Sequence, residues 1–420
     1  MKRSLLLAES KDIYVVTNLQ HKFLVKGAIE ELGISFSEDN ILLEAEAKNT
    51  LPAIYAGVHE IRKSGDASVV VFPSDHRIEK DTEFAELIQN AEPLAREMLI
   101  TFGIKPDTPQ TGYGYISPGE SLVIGYKVDA FKEKPSRDQA LEYIDKGYFW
   151  NAGIFLFKTD IFAAEVKRYA PDIHEAFENT TNMASAFAKI ERKISIDYGI
   201  MEKSEKVAVV PADIGWNDLG SFEAFYQLSP KDERGNVSNE DGVLIDAACN
   251  LVYSEPGKLV ATVGVEDLII VDNRDALLVC HKDQAQKVGD VVKVLEARND
   301  SRTEYHVQDY RPWGQYKILE EEKNSFKIKH IIVNPGQKLS YQLHHHRSEH
   351  WVVVKGIAQV TIDDVVSTVV AGESIYMKPG QKHRLVNPGK KALEIIEVQM
   401  GDYLEEDDIV RFDDQYGRKL

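Results

Sequence analysis

Four side chains suited to binding a divalent metal fall between positions 342 and 349 of this chain. They lie in the run PGQKLSYQLHHHRSEHWVVVKG, residues 335–356. On an extended strand Gln342, His344 and His346 point to one face, because side chains alternate with a period of two. Glu349 opens the strand that follows and Gly356 ends it. A fifth candidate, His383, comes just after the Pro-Gly turn in PGQKHRLVN, residues 379–387. Two or three imidazoles with a carboxylate make a ligand set for Zn²⁺ or a similar divalent ion. A lone histidine on a surface strand needs no such role. Four compatible residues on a strand pair, with a fifth after a turn, are poorly explained as a chance polar cluster.

The elements that must position these residues are strands. From Tyr310 onward the pieces FKIKHIIV, KLSYQLHH, HWVVVKG, AQVTIDD, STVVAG, ESIYMK, HRLVN and LEIIEVQ are separated by Gly, Pro or Asp-Asp turns. That pattern predicts an all-β sandwich or small barrel. It resembles the two cupin motifs, one from Gly336 through His344, His346 and Glu349 to Gly356, the other from Gly372 through Gly380 and His383 to Asn387. There are two departures from the cupin pattern. The gap from His346 to Glu349 is one residue short, and Lys378 stands where proline is usual.

Upstream the pattern changes character. DIYVVTN (12–18), ILLE (41–44) and SVVVFPSDH (68–76) read as buried strands alternating with helical periodicity, which predicts a largely parallel sheet covered on both faces. Between 233 and 300 short strand-like pieces (GVLID, LVYS, KLVATVGV, LIIVDN, ALLVC) recur without long helices, as in a short β-helix or a small sheet. Residues 297–309 are polar and aperiodic, a linker. The expected domains are 1–232, 233–302 and 303–420, in keeping with a length of 420 residues.

Bulk composition narrows the class. A net charge of −18 argues against a nucleic-acid binder but leaves small phosphorylated ligands open. No apolar run approaches the roughly 18 residues that cross a bilayer. The apolar patch at residues 5–8 is too short for a signal peptide and no small-residue cleavage site follows it. Two cysteines, Cys249 and Cys280, offer no disulfide framework and fit a reducing cytoplasm. These features describe an enzyme-sized cytoplasmic protein, with no membrane partner expected.

Whole-domain resemblance sharpens the C-terminal reading. RPWGQY (311–316), HHHRSEHWVVVKG (344–356), PGQKHRLVNPG (379–389), LEIIEVQ (393–399) and EEDDIVRFDDQYGR (405–418) resemble type II phosphomannose isomerases. These form the C-terminal half of bifunctional mannose-1-phosphate guanylyltransferase/mannose-6-phosphate isomerases, and the resemblance covers residues 303–420. It implies an aldose–ketose isomerisation in which a divalent ion steadies negative charge on the sugar oxygens. A His or Glu of the motif would carry the proton, Arg347 or Arg411 would meet the sugar phosphate, and His350 more than Trp351 is expected behind the ligands. Arg347 and Glu349 are the catalytic candidates of this half.

The N-terminal motifs KNTLPA (48–53), VFPSDHRI (71–78), TGYGYI (111–116), FKEKP (131–135), FWNAGIFLF (149–157), SIDYGIMEK (195–203) and GWNDLGSF (215–222) resemble the guanylyltransferase half of the same family. The resemblance implies a Rossmann-like α/β domain of GT-A type. Asp75, just beyond a buried strand, and Asp218 would hold Mg²⁺ between the sugar phosphate and the α-phosphate of GTP. Glu133, Asn151 and Asp197 would bind the sugar, and Lys134 would meet phosphate. Gly112 and Gly114 would admit the backbone, and Asn49 and Thr50 would lie near the nucleoside. Asp75 taken alone would serve equally as a helix N-cap, and Trp216 and Phe222 read as packing.

One family feature is absent from these 420 residues. The family's glycine-rich Gly-Gly-x-Gly-x-Arg loop, which cradles the triphosphate, has no counterpart here, and the first glycine is Gly27 within a helical pattern. The expectation is that this chain alone transfers GMP poorly, since losing one transition-state donor costs roughly 3–4 kcal/mol. Its first-strand place in the sheet is expected to leave neighbouring backbone unpaired. Three readings follow. The chain is bifunctional, completed by a separate polypeptide or an upstream start; or only the isomerase works; or the cupin is a non-catalytic sugar-binding module. A homo-oligomer is compatible with each.

Overall fold

The computed structural model describes every residue except 20, 181, 240–241, 304–306 and 417–420, and gives no side-chain placement for 286 and 301. The end of the 405–418 motif and part of the predicted linker therefore lie outside the described residues. The chain divides into two compact units, Met1–Ser229 and Pro230–Leu420.

The first unit is built on a six-stranded sheet. Its order is Ser68–Val71, Phe149–Lys158, Leu99–Ile104, Val207–Ala212, Tyr126–Glu133, Gly114–Ser121. Both faces are covered, and the strands show it residue by residue. Along Phe149–Lys158, Phe155 and Phe157 join one apolar cluster with Leu51, Tyr55, Phe162 and Phe177, while Ile154 and Leu156 join another with Phe84, Ile88 and Ile100. A strand buried on both sides has no polar alternation, hence the unbroken apolar runs.

The sheet is mixed where a largely parallel one was expected. Phe149–Lys158 runs antiparallel to both Ser68–Val71 and Leu99–Ile104, and in this sheet only Leu99–Ile104 and Val207–Ala212 pair in parallel. Burial on two faces sets composition but not direction, so the apolar run could not reveal it. Val15–Asn18 and Ile41–Glu44 form a separate parallel pair. Among the described residues Val15–Asn18 and Ser68–Val71 are each hydrogen-bonded to one neighbouring strand only.

The second unit begins with stacked short strands. Leu251 lies in parallel register between Val237 and Ile269, and Gly242–Ile245 pairs in parallel with Val260–Val263, the stacking of a β-helix. Two buried asparagines tie its coils together. Asn236 Oδ1 accepts from Asn250 N and Nδ2, and Asn250 Oδ1 accepts from Leu268 N. The helix Val288–Ala297 follows.

An all-antiparallel barrel of two sheets completes the unit. One sheet has the order Gln308–Arg311, Gly314–Glu322, Phe326–Val333, Leu393–Gly401, Arg347–Lys355, Ser374–Met377. The other has Val365–Val370, Ile357–Ile362, His383–Val386, Tyr341–His344, Ile409–Asp413. The barrel interior grades from apolar to polar along each strand. Ile331, Ile395 and Val353 occupy one transverse row, Lys329, Glu397 and Trp351 the next, and Lys327, Gln399 and Glu349 the one after. All nine are buried. An interior that turns charged at one end is costly unless every group finds a partner or a ligand.

Candidate active sites

At the polar end of the barrel His344, Glu349 and His383 converge, their ligand atoms all within 4.8 Å of one another. Each is about 1% exposed. His344 ends the strand Tyr341–His344, Glu349 sits near the start of Arg347–Lys355, and His383 opens His383–Val386. His344 Nε2 is 3.0 Å from Glu349 Oε1, and His383 Nε2 is 3.6 Å from Glu349 Oε2. Neither ring nitrogen of His344, nor Nε2 of His383, has a hydrogen-bond partner. Buried imidazole nitrogens left without partners around a carboxylate are costly on their own and suit a divalent cation. The residues present therefore fit a metal.

The electrostatics agree. Burial would raise the Glu349 carboxyl, yet His344 and His383 hold it well below the usual carboxylate range. Burial lowers His344, against the opposing pull of Glu349. Glu397, one row away, is pushed up to about 8 by burial and by the charge of Glu349. The buried Lys329 forms an ion pair at 2.9 Å with the more exposed Glu406 and holds the Glu406 carboxyl down to about 2.

The other predicted residues fall around this group. Gln342 is buried, stands opposite His383 and Arg411 in register, and accepts through Oε1 from Ser340 Oγ. Arg347 is buried, donating from Nε to Glu349 Oε1 at 3.2 Å and from Nη1 to the Glu405 carbonyl at 3.0 Å. His346 is outside the convergent trio. The strand stops at His344, and residues 345 and 346 turn outward with their backbone N–H groups held by the Asp408 carboxylate. Period-two alternation on Arg347–Lys355 likewise places Trp351, rather than His350, behind Glu349. The Trp351 indole N–H donates to Glu349 Oε2 and Glu397 Oε1, while the His350 ring meets Tyr376.

In the first unit a cavity of about 150 Å³ is lined by His76, Gly112, Tyr113, Gly114, Glu133, Asn151, Ala152, Gly153, Asp197, Trp216 and Asp218. Asn151 is fixed on three sides. Its Oδ1 accepts from Thr101 Oγ1 and Gly153 N, and its Nδ2 donates to Asp197 Oδ1. One amide N–H is left for a ligand. Burial and the neighbouring Asp197 push Glu133 up to about 7, and burial also raises Asp197. A Cβ on Gly114 would come within 2.6 Å of Glu133 Oε2 and would displace that carboxylate from the cavity wall.

Asp218 Oδ1 accepts from Tyr113 Oη and Gly220 N, leaving Oδ2 without a donor among the described residues and available to a cation. Asp75 is exposed on the loop before Arg77–Ile78 and, with Asp218, acts electrostatically on His76. Lys134 is exposed, with Nζ 4.0 Å from Glu133. Asn49 and Thr50 are exposed at the start of the helix Thr50–Arg62: Asn49 Oδ1 accepts from Thr50 N, and Thr50 Oγ1 accepts from Ile196 N. Asn49, Lys134 and Leu219, beside Asp218, all hold left-handed backbone, a strain that clusters at working sites. Sequence reasoning missed Tyr113; Trp216 packs as expected against the apolar clusters and the Tyr113 ring, and its indole N–H also donates to His76 Nδ1. The Tyr between the two glycines of TGYG was the available signal.

Fold and sites together define an α/β nucleotidyltransferase followed by a β-helix and a cupin whose His344, Glu349 and His383 could hold a metal ion. The family models match in the same order: "Nucleotidyl transferase" over residues 1–235, "MannoseP isomerase/GMP-like beta-helix domain" over 240–295 and "Mannose-6-phosphate isomerase C-terminal" over 298–414. The xanthan biosynthesis protein XanB of Xanthomonas campestris is 40% identical over 417 residues, covering 96% of this chain and 88% of its own. The mannose-1-phosphate guanylyltransferase of Escherichia coli K12 is 39% identical, covering 98% and 89%. A mannose-1-phosphate geranyltransferase structure from Thermus thermophilus superposes with a TM-score of 0.63 at 32% identity, over 70% of this chain and 87% of that one. The chain belongs to the mannose-1-phosphate guanylyltransferase family whose members carry a mannose-6-phosphate isomerase domain.

Proposed function

We propose that this chain serves GDP-mannose synthesis, interconverting mannose 6-phosphate and fructose 6-phosphate in its cupin and transferring GMP from GTP to mannose 1-phosphate in its α/β domain, with diphosphate as the leaving group. The buried convergence of His344, Glu349 and His383, with three imidazole nitrogens lacking hydrogen-bond partners, is the observation that carries the first activity. When bound there, Zn²⁺ or a similar divalent ion supplies positive charge for sugar oxygens that become negative. Arg347 and Trp351 hold the Glu349 carboxylate in place, and the buried surroundings exclude water. His346, free of the trio, is left to move the proton, and Arg411, across from Gln342, supplies a cation for the sugar phosphate.

For the second activity, Glu133, Asn151 and Asp197 present acceptors and a donor to sugar hydroxyls, and Lys134 stands at the rim for phosphate. Asp75 and Asp218 would hold Mg²⁺, which supplies charge to the phosphates. Tyr113 commits one oxygen of Asp218 and so orients the other. This machinery requires no other compartment than the cytoplasm.

The test is an isomerase assay on the purified 420-residue chain after chelation and again after Zn²⁺ or Co²⁺ is restored. Turnover that disappears and returns supports the reading. No turnover with any divalent ion, in a protein whose barrel is folded, sinks it and leaves a sugar-binding cupin. GDP-mannose formation from GTP and mannose 1-phosphate, measured on the same preparation with Mg²⁺, tests the other half.

A further inference from the structure

Two carboxylates face one another beside the convergent trio, and two N–H groups bridge them. Gln399 Nε2 donates to Glu349 Oε1 at 3.0 Å and to Glu397 Oε2 at 2.9 Å. Trp351 Nε1 donates to the opposite oxygens, Glu349 Oε2 at 3.2 Å and Glu397 Oε1 at 2.9 Å. The strand register makes this possible. Gln399 lies directly between Lys327 and Glu349, and Glu397 lies between Lys329 and Trp351. All four side chains of the clamp are at most 4% exposed, so their geometry is set by packing rather than by solvent.

The amide of Gln399 is oriented at a cost to itself. Its Oε1 is buried without any hydrogen-bond partner, while its amide nitrogen is committed to the two carboxylates. Turning the amide over would remove its two donor bonds and place a carbonyl dipole against the Glu349 carboxylate, which is worse than one unmade bond. Glu349 thereby has a bridging donor on each oxygen, besides Arg347 Nε on Oε1, while Nε2 of His344 and of His383 lie 3.0 and 3.6 Å away. Donors of this kind, one step removed from a metal, orient the ligand and tune its affinity for the ion.

We infer that Gln399, acting with Trp351, is a positioning residue that fixes the Glu349 carboxylate for the metal, a role that rests on the isomerase reading of this site. Gln399→Leu keeps the bulk and removes the bridge. On the full chain, Zn²⁺ affinity measured by competition with a chromophoric chelator falls about 10- to 100-fold. At saturating Zn²⁺, kcat for mannose 6-phosphate falls while KM stays within about twofold, since no substrate contact is removed. A merely structural residue would lower the melting midpoint of the chelated protein and leave Zn²⁺ affinity untouched, and that outcome overturns the inference. Should Gln399→Leu not fold, Trp351→Phe removes the other bridge while keeping a ring against His383, and unchanged affinity there is equally fatal. Parent protein that binds no Zn²⁺ would sink the metal-site reading itself. Tight binding by parent and variants alike would sink only the role of Gln399.

Discussion

Glu349 and Glu133 are both buried carboxylates, and their neighbours drive them in opposite directions. Against its burial, two histidines hold Glu349 well below the usual carboxylate range, whereas burial and Asp197 raise Glu133 to about 7 from 4.5. Between those two values the folded chain keeps a proton on Glu133 that the unfolded chain has lost, so stability falls as pH rises through the window. Glu133→Gln removes that titration. It should stabilise the first unit by about 1–2 kcal/mol at pH 8, after solvent screening, and by almost nothing near pH 4. Melting midpoints of parent and variant at the two pH values check this; an equal gain at both would discount the titration. The histidine run offers a second test. His383→Ala should abolish stoichiometric Zn²⁺ binding by the chain, and His346→Ala should leave it within a few-fold, because only His383 joins the buried trio. Equilibrium dialysis with both variants decides it.

The elements do their positioning through period and register. On Arg347–Lys355 alternation sends Arg347, Glu349 and Trp351 inward together, and antiparallel pairing lays Gln399 and Glu397 beside them. The trio therefore draws one residue from each of three strands separated in sequence, and its geometry is rigid because the strands are packed. In the β-helix the same work falls to side-chain amides. Asn250 is fully buried, donates to Asn236 Oδ1 and the Val265 carbonyl, and accepts from Leu268 N. Asn250→Ala removes the side-chain acceptor of Leu268 N and the donor to Asn236 Oδ1, and should cost about 1–3 kcal/mol. Chemical denaturation of the variant should show the loss in the transition of the second unit alone.

At the scale of the whole molecule, Met1–Ser229 and Pro230–Leu420 each enclose their own apolar clusters. The two units divide between Ser229 and Pro230, and the second holds both the β-helix strands and the barrel. Two units with separate cores should melt as two transitions. A bound ion stabilises only the unit that holds it, so a chelator should lower one midpoint by several degrees and leave the other within about 1 °C. Scanning calorimetry with and without EDTA checks it. Equal shifts in both transitions would show that the ion stabilises more than the cupin.

Composition and motif order were enough for the class of protein. The unbroken apolar runs of the first unit, the change to short strands after residue 233, and the His-x-His and Pro-Gly-x-x-His spacings are all local patterns, and local patterns follow from the period of the element that carries them. What escaped was whatever depends on partners distant in the chain. Strand direction in the first sheet was invisible because both directions bury the same residues. His346 was grouped with the ligands because spacing cannot show that the strand ends at His344. His350 was preferred to Trp351 though alternation from Glu349 already favoured Trp351. The bridge from Gln399 to Glu349 joins residues 50 positions apart. Sequence determined which side chains were available for chemistry. Tertiary structure decided which of them meet, because register between strands is a property of the packed barrel rather than of any one strand.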